Sequence, residues 1–396
     1  MAKVKAFKAV RPSRDKVQLV ASRPYLSYTK KALRSKLEEN PFSFIHILQP
    51  NYPNVPGKAN SEERFEAIRE RYTDFVKDEI LIPDKKNSLY IYRQINGKHS
   101  YTGIIGCAST DDYRNDVIKK HELTLAKREE TFKKYLDICN FNAEPVLMMY
   151  EENEAIEDII SRYTHTSPEY DFTTTDRIRH SLWIITDTDH INSIEQAFEK
   201  IENLYIADGH HRSASSTLLA QERALTNSNE NANFRGLLSY FIPHTQLSIL
   251  PFHRLFKAKD ADEAKNIADT IIQQYAHPEG DVKMCFEGKV YTLKIEGEGS
   301  TVVSGLASSR VSNKILCSIC QVKDERNDKR ITHIGGEITL EDFSDKVVKA
   351  GNTIGFYLEA VKTEELFKIA DNGEFMPPKS TYIEPKMRSG MTILEL

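Results

Sequence analysis

Leu204-Tyr205-Ile206-Ala207-Asp208-Gly209-His210-His211-Arg212-Ser213-Ala214-Ser215-Ser216 is the stretch on which the reading of the chain turns. An apolar strand over Leu204 to Ala207 ends at an acid, turns on glycine and opens a helix predicted from His211 to about Leu225. The first turn of a helix offers N–H groups that no carbonyl of that helix takes, and it carries the positive end of the macrodipole. Gly209 lets a ligand approach the backbone, and His210, His211 and Arg212 add donors, a combination suited to an oligophosphate. The competing reading is a plain helix start, with Asp208 as its cap and Arg212 and one histidine paired with surface carboxylates. A metal site is not expected, because adjacent helical positions point about 100° apart and do not both face one ion.

Working outward, Ile194 to Ile201 is expected to be a helix, Ser181 to Thr186 a strand, Ala155 to Tyr163 a helix and Val146 to Tyr150 a short strand. Leu89 to Gln94 and Tyr101 to Ser109 alternate around Asn96-Gly97, a hairpin signal. Ser61 caps a helix to about Asp78 with Phe65, Ile68, Tyr72 and Phe75 at helical spacing. Phe44 to Leu48 reads as a buried strand, and Asp111 to about Ile138 as helical stretches. On the carboxyl side, Leu237 to Phe241 and Ser248 to Phe252 are expected strands, Ala261 to Tyr275 a helix, and Val282 to Glu296 a hairpin turning near Gly288. The fold class is therefore α/β in the mixed α+β sense. With 396 residues the chain exceeds one ordinary domain. Two lobes are expected: an α/β lobe over 1–230 carrying the turn and an α+β lobe over 231–396, divided within the Asn/Ser-rich run Thr226 to Asn233.

Basic residues number 54 and acidic residues 58, for a net charge of -4. Spread along the chain, they leave no global positive field for nucleic acid or anionic lipid, and neither partner is expected. Five cysteines, an odd and sparse set, point to a reducing compartment. No window approaches the roughly 18 apolar residues of a spanning helix, and the basic start Met1 to Lys8 leads into no apolar run, so a cytoplasmic location is expected. Cys317-Ser318-Ile319-Cys320 lacks the second pair that a zinc set needs, and Ile315, Leu316 and Ile319 make it read as a buried strand. No P-loop, Gly-x-Gly-x-x-Gly or Gly-x-Ser-x-Gly pattern occurs.

Asp208 to Arg212, followed by small residues, resembles the signature of a bacterial and archaeal family catalogued as "domain of unknown function ten-fifteen", related to the ParB/sulfiredoxin superfamily. Lys120-His121-Glu122 with Thr124 is similar to the family's His-Glu-x-Thr segment, with Pro145 fitting its sequel. His180-x-x-Trp183, Pro251-x-His253-Arg254, and Met376-Pro377-Pro378-Lys379-Ser380-Thr381 with Pro385-Lys386 and Gly390 match further motifs, so the resemblance spans essentially the whole chain. Leu26 and Thr131 depart from the family pattern, and neither position is given a catalytic role.

The resemblance implies a ParB/sulfiredoxin-like core with a mixed sheet and, among related proteins, a free-serine kinase. Such an enzyme moves a phosphoryl group from ATP or ADP to the hydroxyl of L-serine. Its partners would be a nucleotide and a small amino-acid-like substrate, with magnesium left open. On that reading Gly209, His210, His211 and Arg212 contact phosphate, and Asp208 polarises the acceptor hydroxyl or holds magnesium. His121 and Glu122 are catalytic candidates for a second wall, with Lys119 or Lys120 as charge partner, and Lys379, Ser380 and Thr381 follow two prolines in a loop suited to close over a ligand. Two other functions compete: a non-catalytic binder of an anionic metabolite or nucleotide, and a ParB-like CTPase or nuclease, for which a basic, aromatic-interleaved stripe is missing.

Overall fold

A computed structural model of the protein describes residues 1–229 and 232–396. The chain divides into two compact units, the first made of Met1–Lys119, Thr124–Leu247 and Pro385–Leu396, the second of Lys120–Leu123 and Ser248–Glu384. The division expected at 230/231 falls outside the described residues.

The first unit is built on a nine-stranded mixed sheet. Its path runs Ile118–Lys119, Leu204–Asp208, Val146–Tyr150, Gly236–Pro243, His99–Ser109, Leu89–Asn96, Arg179–Ile185 and Tyr170–Thr173, with Val4–Lys5 added on His99–Ser109. Two neighbours are parallel, Leu204–Asp208 with Ile118–Lys119 and Gly236–Pro243 with Val146–Tyr150, and the rest are antiparallel. The Leu89–Ser109 hairpin closes at Asn96↔His99, as the Asn-Gly signal requires. All five residues of Val146–Tyr150 are buried, which explains its unbroken apolar run. Helices Glu154–Thr164 and Thr188–Phe198 bring Ile156, Ile160, Ile194 and Phe198 into one core with Ile104, Met148, Ile206 and Phe241. A four-stranded sheet in the same unit joins Ile393–Glu395 to Ala9–Pro12 and Phe141–Asn142. Against it lies the capped helix Glu62–Lys77, through Phe65, Ile68, Tyr72 and Phe75.

The second unit is a six-stranded antiparallel sheet. Ser248–Lys257 is its organising strand, pairing with Ile331–Gly335, Thr353–Tyr357 and Thr381–Glu384. Helices Ala261–Tyr275 and Leu340–Ala350 face the sheet with Ala264, Ala268 and Ile271, and with Phe343 and Val347. Arg254, wholly buried, donates to Glu325 Oε1 at 2.8 Å, and His333 Nε2 meets the same oxygen at 2.9 Å. Burial alone would raise the Glu325 carboxyl, but His333 and Arg254 bring it down to about 2, so the pair is ionised.

Three local expectations are corrected. Phe44 to Leu48 is not a strand: Ile45–Leu48 is a single helical turn started by Phe44. A five-residue apolar run does not carry enough periodicity to separate the two states. Cys317 and Cys320 do not lie on a strand either. Val311–Cys317 is a π-helix, in which Val311 and Ile315, four apart, are both buried. His121 and Glu122 sit in irregular backbone between Ile118–Lys119 and the helix Ala126–Cys139. All five cysteines are free, and among the described residues no helix is long and apolar enough to cross a membrane.

Candidate functional site

The strand Leu204–Asp208 loses its regular register at its end. Ile206 pairs with Met148, but Asp208 pairs with Leu147, so Ala207 is an extra residue on this strand. A bulge of this kind re-aims the side chain that follows it. The Asp208 carboxylate is 42% exposed at the strand terminus, whereas Ile206 is wholly buried.

Gly209 is the N-cap residue of His210–Ala224, with φ 108° and ψ 28°, and no side chain caps the helix. Asp208 is therefore not the cap that the plain helix-start reading required. Its oxygens are taken by cations: Arg212 Nη2 donates to Oδ2 at 2.7 Å and Lys386 Nζ to Oδ1 at 3.1 Å. Partial desolvation would raise this carboxyl. The charges of Lys386 and Arg212 outweigh it and hold the group below the ordinary aspartate value, so it is ionised at neutral pH.

Arg212 also ties the turn to the start of the neighbouring strand. Its Nη1 donates to the carbonyls of Glu144 (3.0 Å) and Pro145 (2.6 Å). Three of its five N–H groups are thereby directed at the protein, leaving Nε–H and one Nη2–H for another acceptor. The guanidinium lies under Gly209, where an added Cβ would fall 3.0 Å from Nη2 and 3.1 Å from Cζ and Nε. Only glycine satisfies both the left-handed φ and this contact. Gly209→Ala is expected to cost about 1 to 3 kcal/mol in stability, measured by urea unfolding, and to loosen the Arg212 contacts. A loss of only a few tenths would show that the turn relaxes without strain.

Behind the turn, the small residues Ser213 to Thr217 are buried, and the hydroxyls of Ser213, Ser215 and Thr217 bond within the fold. Ser213 donates to Gly209 O (3.2 Å), and Ser215 to His211 O (2.7 Å) and Glu129 O (3.0 Å). Their smallness lets this helix lie close to Ala126–Cys139. His210 is buried and His211 half-buried at the helix opening.

The segment Pro385–Gly390 completes this region of the first unit. Besides Lys386, it places Ser389 Oγ on Glu144 Oε1 (2.7 Å) and buried Arg388 on Asp176, with Nη2 at 2.8 and 2.7 Å from the two carboxylate oxygens. Arg388 Nε donates to His180 Nε2 (3.3 Å), so the neutral His180 ring carries its proton on Nδ1, 2.7 Å from the Tyr92 hydroxyl. Lys386 is the site residue that the sequence reading did not single out. It stands 178 positions from Asp208, and its only signal was its place beside Pro385 in the carboxyl-terminal motif.

Asp208, Gly209, His210, His211 and Arg212 belong to the first unit, and Lys120, His121, Glu122, Lys379, Ser380 and Thr381 to the second. Within the second unit, His121 is buried and its carbonyl accepts from Met376 N (3.0 Å). Lys379 has φ 55° and lies over the Phe252 ring at 5.3 Å. Ser380 is buried and donates to Pro377 O (2.8 Å), and Thr381 pairs with Pro251 in the sheet.

A family model described as "Protein of unknown function (DUF1015)" matches residues 4–319. No curated protein matches the chain. Among solved structures, a free serine kinase mutant in complex with ADP is 14% identical, covering 70% of this chain and 89% of its own at a TM-score of 0.37. SbnI with C-terminal truncation from Staphylococcus aureus is 13% identical, covering 73% and 87%, at 0.38. A conserved hypothetical protein from Pyrococcus furiosus is 15% identical, covering 70% and 92%, at 0.33. Likeness at this level fixes neither fold nor ligand.

Proposed function

From the premise that this chain belongs to the family described as "Protein of unknown function (DUF1015)", we propose that it is a nucleotide-dependent small-molecule kinase that phosphorylates free L-serine to O-phosphoserine. The observation that carries the proposal is the ionised Asp208, held between Lys386 and Arg212 where an uncapped helix opens. Phosphoryl transfer is chiefly positioning and charge stabilisation, and this turn offers backbone N–H groups, histidines and two cations for the phosphates. Serine as acceptor, with ATP or ADP as donor, follows the resemblance of the sequence motifs.

A carboxyl held low by two cations is a weak proton acceptor. Asp208 is accordingly assigned to orienting the acceptor hydroxyl or to a magnesium ion that enters with the nucleotide and neutralises its phosphates. Arg212 keeps the turn in shape and has two N–H groups for the ligand. Lys386 is the more exposed cation, at 35% against 22% for Arg212. On this proposal it passes from Asp208 to the phosphates and leaves the carboxylate accessible.

The test is transfer from ATP, and separately from ADP, to L-serine with magnesium, reading O-phosphoserine by mass spectrometry alongside nucleotide binding. Product is expected with at least one donor. Lys386→Met is expected to weaken nucleotide binding by about tenfold to a hundredfold, the worth of one charge-assisted contact. Folded protein that binds nucleotide yet gives no O-phosphoserine with either donor would remove serine as acceptor. Binding with no turnover towards any hydroxyl compound would make the protein a nucleotide binder.

A further inference from the structure

The contacts of the Asp208 turn close into a ring that passes through two side chains outside it. Asp208 Oδ2 accepts from Arg212 Nη2 at 2.7 Å, and Arg212 Nη1 donates to the carbonyls of Glu144 and Pro145 at 3.0 and 2.6 Å. The Glu144 side chain turns to the carboxyl-terminal segment, where its Oε1 accepts from Ser389 Oγ at 2.7 Å. Earlier in that segment Lys386 returns to Asp208, with Nζ 3.1 Å from Oδ1. The two cations that share Asp208 are thus tied together on their far side by one hydrogen bond, from Ser389 to Glu144.

Of the two partners in that bond, Ser389 is the fixed one. It is buried, and its backbone is held independently of its side chain, with N donating to Ser22 O at 2.8 Å and O accepting from Ser22 N at 3.3 Å. Next to it Gly390 N donates to Ala143 O at 3.2 Å. Gly390 has φ 80°, and a Cβ there would fall 2.5 Å from Phe44 Cδ2, so the segment lies directly on that ring. Glu144 is the partner that needs holding. It is half-buried, its N–H is satisfied by Asn142 Oδ1 at 3.2 Å, and the proline that follows has no N–H to tie the chain down. A hydroxyl donating to a carboxylate out of water is a charge-assisted bond of the stronger kind. The orientation of Glu144 and Pro145 decides where their carbonyls hold the guanidinium, and so where the remaining Arg212 N–H groups point.

We infer that Ser389 is a positioning residue of the Asp208 turn: through Glu144 it fixes the carbonyls that hold Arg212, and so keeps the Arg212 charge on Asp208 and its remaining N–H groups towards the phosphates. The phosphate half of this inference rests on the proposed nucleotide-dependent kinase, whereas the hold on Asp208 does not.

Two quantities are to be measured in the natural protein, Ser389→Ala, Glu144→Ala and Glu144→Gln. One is the titration of the Asp208 carboxyl by carbon-13 NMR, assigned from the signal lost in Asp208→Asn, and the other is the binding of ADP by calorimetry. Burial raises the Asp208 carboxyl and the charges of Lys386 and Arg212 hold it low, so loosening Arg212 lets it rise. Ser389→Ala and Glu144→Ala are therefore expected to shift the Asp208 titration to higher pH and to weaken ADP binding about threefold to tenfold, the worth of one hydrogen bond. Glu144→Gln keeps an oxygen for the Ser389 hydroxyl and should behave as the natural protein in both. The double variant Ser389→Ala/Glu144→Ala should be no worse than either single change, because both remove the same bond. A lower melting temperature in Ser389→Ala with the Asp208 titration unmoved would make Ser389 a purely structural residue and overturn the inference, as would Glu144→Gln matching Glu144→Ala. Should Ser389→Ala not fold, the two Glu144 variants decide on the same readings. If the natural protein binds no ADP, the kinase reading falls, and the Asp208 titration alone decides on Ser389.

Discussion

On the proposed kinase function, Asp208→Asn is expected to lower turnover by about a thousandfold, the scale on which a positioned charge acts in transition-state stabilisation, while nucleotide affinity holds or rises severalfold. The two effects separate because the carboxylate and the cations oppose each other at the turn. Lys386 and Arg212 are held by Asp208 at 3.1 and 2.7 Å. Asparagine keeps the shape of the side chain but not its charge, so Lys386 is released towards the phosphates, while Arg212 stays anchored on the Glu144 and Pro145 carbonyls with its charge no longer offset. At the same time the only ionised group on this strand end is lost, and with it the means of orienting the hydroxyl or holding magnesium. Steady-state kinetics with separate measurement of nucleotide binding decides the matter. A lower melting temperature with kcat and KM intact would make Asp208 a structural counter-ion and sink its catalytic assignment. An equal fall in binding and turnover would place the charge on the ground state rather than on the reacting group.

What could be read from the sequence at this site was what lies close together in the chain. Strand, acid, glycine and helix follow one another within ten residues, and both the positive φ at Gly209 and the absence of an Asp208 cap are consequences of that local geometry. The capped helix Glu62–Lys77, the Leu89–Ser109 hairpin and the helix Ala261–Tyr275 were legible for the same reason, since caps, turns and a 3.6-residue period are short-range signals. Lys386 was not, because the contact that gives it a role is set by the return of Pro385–Leu396 into the first unit. The same return creates the Arg388, Asp176 and His180 network, whose members are spread over more than 200 positions. Ile45–Leu48 and Val311–Cys317 failed for a different reason: each is a short apolar helical piece whose state is decided by packing rather than by period.

Acidification from about pH 6.5 to pH 5 is expected to cost the fold about 3 kcal/mol, half of it in each unit. Two buried histidines carry this loss. Burial, and then the charge of Arg388, lower His180 to about 3. Burial and the neighbouring Arg254 lower His253 to about 4. Both rings already accept a hydrogen bond on the nitrogen that a proton would occupy. His180 Nε2 accepts from Arg388 at 3.3 Å, and His253 Nδ1 accepts from Leu358 N at 3.0 Å. Protonation would set one N–H against another at a buried ring, which is why the folded state resists it. The unfolded chain takes up these protons near pH 6.5 and the folded chain does not, so stability is complete above that pH and falls as pH drops towards the folded values. The slope is about 1.4 kcal/mol per pH unit for each histidine, a large share of the 5 to 15 kcal/mol typical of a domain. Carboxylates such as Glu325, lowered to about 2, begin to add to the loss only below about pH 4.5. Melting curves at pH 8, 6.5 and 5 should therefore be level in the first interval and fall steeply in the second. His180→Gln should flatten the transition of the first unit and His253→Gln that of the second, whatever either change does to the melting temperature at pH 8. An unaltered slope in both variants would mean that the proton uptake lies elsewhere among the twelve histidines.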